Sequence, residues 1–247
     1  MTRTLVAGAY APEIVGVGTS ARAVAIGIGP IEAAAGMAAA IAAEAPERVI
    51  LIGTCGAFHG AGLAIGDVVV VEEAVMASAA PWIEVPGAVP RRAAADPELV
   101  RNLARIIHPW TEPDGLDASS RRSDEGAGWG PATEERRTDA PRIGRQATGT
   151  GEYSGLAETT GYRVVRAASC EGITVDDQAA QRIASDTRAH VEHMECFAVF
   201  RACARAGVPV AALLAVANHV GEGARKEWQV HAKSAEQAAI LALGRVL

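Results

Sequence analysis

The sequence predicts an α/β fold, in which a single α/β/α sandwich surrounds a mixed, largely parallel central sheet. Short apolar segments alternate with longer helical ones along the 247 residues, and this alternation is typical of parallel sheets with helices on their faces. The predicted strands are continuous runs of Val, Ile, Leu and Ala, as expected for strands that are buried on both faces. We therefore expect one domain spanning residues 1–247.

Local patterns place the individual elements. Helices are predicted where an Ala-rich or amphipathic run follows Gly29-Pro30 or Asp96-Pro97, and one helix is expected to end at Gly207. The predicted strands cover residues 5–9, 24–28, 48–52, 67–71, 162–168 and 210–217. The predicted helices cover residues 31–43, 96–107, 175–187, 196–206 and 234–247.

Residues 109–150 differ from the rest of the chain. They are rich in Gly, Pro, Ser, Asp, Glu and Arg and show no hydrophobic period, which is typical of a polar loop, a lid or a disordered insertion. We expect its arginines to be solvated, with contact to an anionic substrate tail as the alternative. These arginines are Arg121, Arg122, Arg136, Arg137, Arg142 and Arg145.

Bulk properties exclude several classes of function. A net charge of −6 argues against a general nucleic-acid surface, and no apolar run approaches the roughly 18 to 20 residues of a membrane span. The start of the chain is apolar too briefly for a signal peptide, and the four scattered cysteines favour reduced, buried thiols in a cytoplasmic protein. His190 and His193 lack a third metal ligand, and Gly27 and Gly29 lack the third glycine of a dinucleotide loop. We expect neither metal nor cofactor.

Polar residues follow the predicted strands. Glu13 comes after the first strand, and Asn218 comes after the last, while Met194 and Glu195 precede a helix. Because ligands of parallel sheets bind beyond the carboxyl ends of the strands, these residues are expected to share a pocket. The expected turn at residues 54–56 joins them there, and it comprises Thr54, Cys55 and Gly56.

Four segments together resemble the purine nucleoside phosphorylase and nucleosidase superfamily. They are GIGPIEAAAG (27–36), VILIGTCGAF with GDVVV (49–71), VEHMECFAVF (191–200) and VPVAALLAVANHVG (208–221). Within this superfamily the tail ANHVGEGARKEW is most similar to the futalosine hydrolase family, with Ala217 in place of the usual Ser. The resemblance implies cleavage of a purine N-ribosidic bond, here with release of hypoxanthine in a menaquinone pathway. It also implies a homodimer or a larger homo-oligomer.

The resemblance assigns the sugar to Glu195 and Met194. A carboxylate can accept hydrogen bonds from both the 2′- and 3′-hydroxyls, and charge-assisted bonds of this kind are strong. The Met194 thioether would pack on the apolar face of the ribose. The alternatives are a solvated or helix-capping Glu195 and a Met194 that only fills the core.

At the base, Asn218 matches the position that contacts the purine N7 in the family. An amide can donate to N7 as negative charge develops on the leaving base, but it cannot give up a proton. Asn therefore favours a 6-oxopurine, whereas adenine-cleaving relatives generally carry Asp. The alternative is an Asn that tolerates a turn after a strand. Ile173 and Thr174 match a segment that lines the base pocket, with core packing as an equal alternative.

Glu13 matches the glutamate that activates water in nucleosidases, and Gly56 in the following turn permits close approach of a ligand. The alternative for Glu13 is a surface residue. Leu51 stands where hexameric phosphorylases carry a phosphate-binding Arg, and the phosphate segment of trimeric phosphorylases is missing. Arg22 or an arginine of a neighbouring subunit is the alternative phosphate ligand.

The expected function is therefore a nucleosidase that uses water. The alternatives are a purine nucleoside phosphorylase, a methylthioadenosine/S-adenosylhomocysteine nucleosidase and a nucleoside-sensing or vestigial protein. Arg225 and Trp228, in the tail, either shape the pocket or hold the last helix in place.

Overall fold

Strands and helices alternate along the described part of the chain. The computed structural model describes residues 3–19, 21–78, 90–107 and 163–247. These residues belong to one unit formed by segments 1–110 and 159–247. The predicted insertion at residues 109–150 lies outside the described residues.

Eight strands and six helices occur in the described residues. The strands are β1 (Thr4–Gly8), β2 (Arg22–Ala25), β3 (Arg48–Ala57), β4 (Val68–Met76), β5 (Arg92–Ala94), β6 (Val164–Ser169), β7 (Val191–Glu192) and β8 (Val210–His219). The helices are α1 (Ala11–Ile14), α2 (Pro30–Glu44), α3 (Pro97–Ile107), α4 (Asp177–Thr187), α5 (Cys196–Ala206) and α6 (Ala224–Leu243).

All eight strands form one mixed sheet, which confirms the predicted fold class. The order is β2-β1-β3-β7-β6-β4-β5, and β8 pairs with both β3 and β4. The pairs β1–β2, β1–β3, β3–β8, β4–β6 and β6–β7 are parallel, whereas β3–β7, β4–β8 and β4–β5 are antiparallel. As a result β3, β8, β4, β6 and β7 pair in a closed circuit, and the carboxyl ends of β3, β6 and β8 lie close together.

The centre of this circuit is the hydrophobic core. Every residue of β8 from Val210 to Asn218 is buried, and the partner strand β3 contributes Ile50 and Ile52 with no exposed surface. Burying one such side chain stabilises the fold by about 1.5–3 kcal/mol. Helix α6 packs on β8 and β3, and α2 packs against α5. The core thus holds the strands whose ends carry polar residues.

The expected turn at residues 54–56 is wrong, because β3 continues to Ala57. The strand pairs with β8 along its whole length, with a register shift between Cys55 and Gly56. It then pairs with β7. This continuous pairing overrides the local turn signal of the glycines, since every backbone group of the segment gains a partner. Thr54, Cys55 and Gly56 therefore lie in a strand, not in a loop, and the register shift leaves Ala217 of β8 as the extra residue.

The last helix begins ten residues earlier than predicted, at Ala224. Gly221 and Gly223, both with positive φ, form the turn that precedes it. Its first half is rich in charged residues, which hid the helical period. The short elements α1, β5 and β7 carried too few residues to give any pattern.

Aspartates cap two helices, as predicted for Asp96, whereas Asp176 was expected in the first turn of its helix and is its N-cap. Asp96 Oδ1 accepts hydrogen bonds from Glu98 N at 3.0 Å and Leu99 N at 2.9 Å, and Asp176 Oδ1 accepts one from Ala179 N at 2.7 Å. Within the described residues, no helix combines the length and the apolar character that a membrane span requires.

Candidate active site

A cavity of about 550 Å³ opens beyond the carboxyl ends of β1, β3 and β8. Eight of the nine predicted site residues line it, and they come from segments that are far apart in the sequence. These eight are Glu13, Thr54, Cys55, Gly56, Ile173, Met194, Glu195 and Asn218. The ninth, Thr174, is not among the lining residues, as described below.

Glu13 lies in α1 and is buried, with 4% of its surface exposed, so the surface alternative is wrong. Its Oε2 accepts a hydrogen bond from Ala9 N at 2.6 Å, and its Oε1 accepts one from Thr54 N at 3.3 Å. A Cβ atom on Gly53 would lie 2.8 Å from Oε1, so the glycine makes room for the carboxylate. The backbone of two strands therefore fixes this acid against the floor of the cavity.

The surroundings of Glu13 raise the pKa of its carboxyl group. Burial raises the pKa of Glu13 to about 8, because the charged form loses its hydration, and the negative charges of Glu195 and Glu236 act in the same direction. The hydrogen bonds from Ala9 and Thr54 oppose this shift. A buried carboxyl with such a pKa can exchange a proton near neutral pH, as a general base requires.

Glu195 occupies the N-cap position of α5, but its side chain forms no cap hydrogen bond. The helix-capping and solvated alternatives are therefore wrong. Instead Oε1 accepts a hydrogen bond from Gly29 N at 2.7 Å, and 4% of the residue is exposed. Met194 is partly buried, and its Cε would lie 3.8 Å from a Cβ on Gly29. Both side chains thus meet the turn between β2 and α2 at the cavity wall.

A buried histidine fixes the segment that carries Glu195. His193 Nδ1 accepts hydrogen bonds from Glu195 N and Cys196 N, both at 3.2 Å. Burial lowers the pKa of His193, so the ring stays neutral and its Nδ1 keeps the lone pair that these donors need. His193 therefore caps the start of α5 in place of Glu195.

Asn218 lies in β8 and is 5% exposed, so it does not form the turn that was its alternative. Its Nδ2 donates to His219 O at 2.8 Å, and the described residues show no other hydrogen bond of this side chain. A Cβ on Gly56 would lie 2.8 Å from Nδ2. The missing side chain of Gly56 thus leaves space for the amide, whose second N–H and Oδ1 remain available to a ligand.

Thr174 is buried and is not among the residues that line the cavity, unlike the expected lining of the base pocket. Its N and Oγ1 donate to the two carboxylate oxygens of Glu192, at 2.9 and 2.5 Å. Neighbouring Ile173 does line the cavity. Glu192 is buried, and burial raises its pKa. Thr174 therefore anchors the segment that presents Ile173.

The tail both shapes the cavity and holds the last helix. Trp228 lines the cavity, and its Nε1 donates to Thr54 Oγ1 at 3.2 Å. Glu227 Oε2 accepts from His219 N at 2.7 Å, which ties the first turn of α6 to the end of β8. Arg225 also lines the cavity. The two interpretations of this tail therefore apply together.

Six lining residues were not predicted. Tyr10 is adjacent to the Glu13 segment, and its hydroxyl donates to Glu236 Oε1 at 2.5 Å. Glu192 and His193 lie within the same VEHME motif as Glu195, so the motif itself was a usable signal. The six residues are Ala9, Tyr10, Ile28, Val175, Glu192 and His193.

Neither position considered for phosphate binding, Leu51 or Arg22, lines the cavity. Leu51 has no exposed surface and belongs to the core, and Arg22 is an exposed residue of β2 that pairs with Glu44 at 3.2 Å. Among the described residues, no group of three or more His, Cys, Asp or Glu is placed to hold a metal ion. The four cysteines are free and buried. The cavity thus offers acids and an amide as its main chemical groups.

The whole fold matches solved structures of nucleosidases. A futalosine hydrolase mutant from Helicobacter pylori is 13% identical, with a TM-score of 0.70 over 100% of this chain and 98% of that chain. The 5′-methylthioadenosine/S-adenosylhomocysteine nucleosidase from Neisseria meningitidis, in complex with methylthio-immucillin-A, is 17% identical, with a TM-score of 0.70 over 100% and 98%. An S-adenosylhomocysteine nucleosidase from Streptococcus pyogenes is 16% identical, with a TM-score of 0.69 over 99% and 95%.

At sequence identities this low, the similarity to these structures shows only that the fold is shared. No curated protein matches the sequence. The family is shown by a different finding, since the phosphorylase superfamily model matches residues 3–247. The chain therefore belongs to the phosphorylase superfamily.

Proposed function

We propose that the protein is a nucleosidase that uses water to cleave the N-ribosidic bond of a 6-oxopurine nucleoside. The observation that carries this proposal is the convergence of Glu13, Glu195 and Asn218 on one cavity. The carboxyl groups of Glu13 and Glu195 suit the ribose of a nucleoside, and the amide of Asn218 suits its purine. The proposed substrate is futalosine-like, and the proposed base product is hypoxanthine.

Glu195 is proposed to bind the sugar. Its carboxylate accepts hydrogen bonds from the 2′- and 3′-hydroxyls, while Gly29 N holds Oε1 in place. Hydrogen bonds to a charged group contribute about 1.5–3 kcal/mol each. Met194 packs against the ribose, as its position beside Gly29 allows. This arrangement leaves C1′ exposed to attack from the side of Glu13.

Glu13 is proposed to activate the water. As the C1′–N9 bond breaks, its electron pair moves to the base, the water oxygen bonds to C1′, and the water proton passes to the Glu13 carboxylate. The Ala9 and Thr54 donors orient that carboxylate before substrate arrives. A positioned general base of this kind accelerates a reaction by about 10²- to 10⁴-fold.

Asn218 is proposed to stabilise the departing base. Its free N–H donates to N7, where negative charge develops, and its Oδ1 can accept from N1–H of a 6-oxopurine. Adenine has no N1–H and leaves most readily after protonation, which an amide cannot supply. A methylthioadenosine nucleosidase therefore remains the second candidate, favoured only by its structural likeness.

Hydrolysis is favoured over phosphorolysis by the charges at the cavity. A phosphate dianion needs cationic or dense N–H partners, and three carboxylates line the cavity, those of Glu13, Glu192 and Glu195. Neither Leu51 nor Arg22 supplies a cation there, and the one Lys or Arg among the described lining residues is Arg225, in the segment that follows Asn218. Water, being neutral, does not face this electrostatic barrier.

We further propose that copies of the chain assemble as a homodimer or a larger homo-oligomer in the cytoplasm. Helices α2 and α5 line an apolar groove next to Ile28, which also lines the cavity. Ile31, on α2, is 81% exposed, and a large exposed apolar face of this kind marks an interaction surface. Sedimentation of the full chain tests this proposal, and a monomer at micromolar concentration would contradict it.

The proposed activity is tested with futalosine, inosine and methylthioadenosine, each with and without phosphate. We expect hypoxanthine release from futalosine in phosphate-free buffer, at a rate that phosphate does not change. Strict dependence on phosphate would instead identify a phosphorylase. Adenine release from methylthioadenosine alone would identify the second candidate. Nucleoside binding without any turnover would identify a sensing protein.

A further inference from the structure

The cavity contains an imbalance of charge. Three acidic side chains line it, those of Glu13, Glu192 and Glu195, and burial raises the pKa of Glu13 and Glu192. Arg225 is the one Lys or Arg among the described lining residues. Neutral His193 does not offset the acids, because its ring nitrogen accepts hydrogen bonds from the backbone. A site built to release an anionic base from such surroundings needs a compensating positive charge.

Arg225 lies at the purine end of the cavity. It is in the first turn of α6, and the adjacent loop is fixed to the base segment because Gly221 N donates to Thr174 O at 3.1 Å. Glu222 N donates to Asp177 Oδ1 at 2.7 Å in the same region. Arg225 therefore follows a loop that is bonded to the segment of Ile173, and it lines the same cavity as Asn218 and Ile173.

The guanidinium group of Arg225 is accessible to a ligand. Arg225 is exposed and forms no ion pair with an acid of the described residues, whereas Glu227, two residues on, is engaged with His219. An exposed arginine in this position, without an acidic partner, can donate hydrogen bonds from its planar guanidinium group to the edge of a neutral or anionic purine ring. Solvation of the side chain is the alternative.

We propose that Arg225 contacts the O6 and N7 edge of the purine and stabilises the negative charge on the departing base. This proposal rests on the proposed nucleosidase function. Asn218 can donate one hydrogen bond but no proton, so the base leaves as an anion. Arg225 supplies the positive charge that such an anion needs, and it does not take part in binding the sugar or the water.

Kinetics of R225Q and R225K with futalosine or inosine provide the first test. We expect R225Q to lower kcat by about 10- to 100-fold with a smaller change in KM, because the contact strengthens as charge develops. R225K keeps the charge and is expected to restore part of the rate. K226Q is the matched control, since Lys226 is the next residue and does not line the cavity. It should behave as the unaltered protein.

Binding of free bases provides the second test, and it needs no turnover. Hypoxanthine is neutral at neutral pH, whereas 8-azahypoxanthine has nearly the same shape and is acidic enough to be an anion. Calorimetry should show that R225Q loses about tenfold more affinity for the anionic base than for the neutral one, a difference of about 1.4 kcal/mol. K226Q should change neither affinity.

The kinetic test and the binding test together distinguish a wrong role for Arg225 from a wrong proposed function. Equal kcat for R225Q and K226Q, or equal losses of affinity for both bases, would overturn the role of Arg225. A protein that turns over no nucleoside would overturn the nucleosidase function. The comparison of the two bases would still decide whether Arg225 recognises a purine anion.

Discussion

The proposed sugar end and the proposed purine end of the cavity are built in different ways. At the sugar end Glu13 and Glu195 are buried, and backbone N–H groups at 2.6 and 2.7 Å hold their carboxylates. At the purine end Asn218 is buried in β8, but Arg225 and Trp228 extend from the first turns of α6 and remain at least partly exposed. The proposed sugar end is buried and acidic, whereas the proposed purine end is more exposed and includes Arg225.

We therefore propose that proton transfer depends on the buried end of the cavity and that the choice of base depends on the exposed end. Proton transfer requires fixed geometry and a tuned pKa, which buried strand ends provide. Recognition of one base over another depends on a few donors that can be changed without disturbing the core. The following variants test this division between the two ends.

Glu13→Gln is expected to have the largest effect. Gln keeps the size of the side chain but cannot accept the water proton, so kcat should fall by about 10²- to 10⁴-fold while nucleoside affinity stays within a few-fold. Single-turnover kinetics and calorimetry measure the two quantities. An E13Q variant with near-normal kcat would remove Glu13 from the reaction, and with it the division proposed for the two ends.

Glu195→Gln is expected to weaken sugar binding. Gln keeps an oxygen for the Gly29 N–H but loses the charge that strengthens the bonds to the diol, so nucleoside affinity should fall by about 10- to 100-fold. Affinity for hypoxanthine alone should not change, because the free base does not reach this residue. E98Q, on exposed Glu98 of α3, is the matched control. Equal losses for nucleoside and base would contradict a role limited to the sugar.

Asn218→Asp is expected to change the choice of base. A carboxyl group can carry a proton to N7, so the ratio of kcat/KM for adenine nucleosides to that for 6-oxopurine nucleosides should rise by about tenfold or more. A competition assay with both nucleosides measures the ratio directly. If the ratio stays constant, Asn218 does not read the base, and specificity arises elsewhere in the cavity.

The dependence of activity on pH is expected to show a smaller, graded effect. Glu13 cannot accept a proton while it is protonated, so kcat/KM of the free enzyme should rise with pH and level off above its pKa of about 8. Glu236→Gln removes a negative charge that raises this pKa, and should move the rise to lower pH by less than about one unit. Tyr10 can still donate to the Gln oxygen. A profile that falls from pH 6 to 8 would contradict a carboxylate base.

The sugar end was more predictable from the sequence than the purine end. The strand-end rule placed Glu13 near Glu195 because both follow recognisable segments. Burial of Glu13 was not predictable, because it depends on Gly53, 40 residues away, whose missing side chain leaves room for the carboxylate. Local patterns carry no information about such long-range packing.

At the proposed purine end, less was predictable from the sequence. The glycines at positions 53 and 56 suggested a turn, yet pairing of β3 with β8 extends the strand and creates a bulge. Thr174 was placed in the pocket, but its bonds to Glu192 turn it away. Arg225 and Trp228 were recognised in the tail without a definite role, since the early start of α6 was masked by its charged residues.

The origin of the oxygen atom that bonds to C1′ distinguishes hydrolysis from phosphorolysis. The full chain is incubated with futalosine in H₂¹⁸O with excess phosphate, and the released sugar is analysed by mass spectrometry. We predict one ¹⁸O atom at C1′ of the free sugar and no sugar 1-phosphate, with formation of the labelled sugar slowed by about 10²- to 10⁴-fold in E13Q. Sugar 1-phosphate as the main product would contradict activation of water by Glu13.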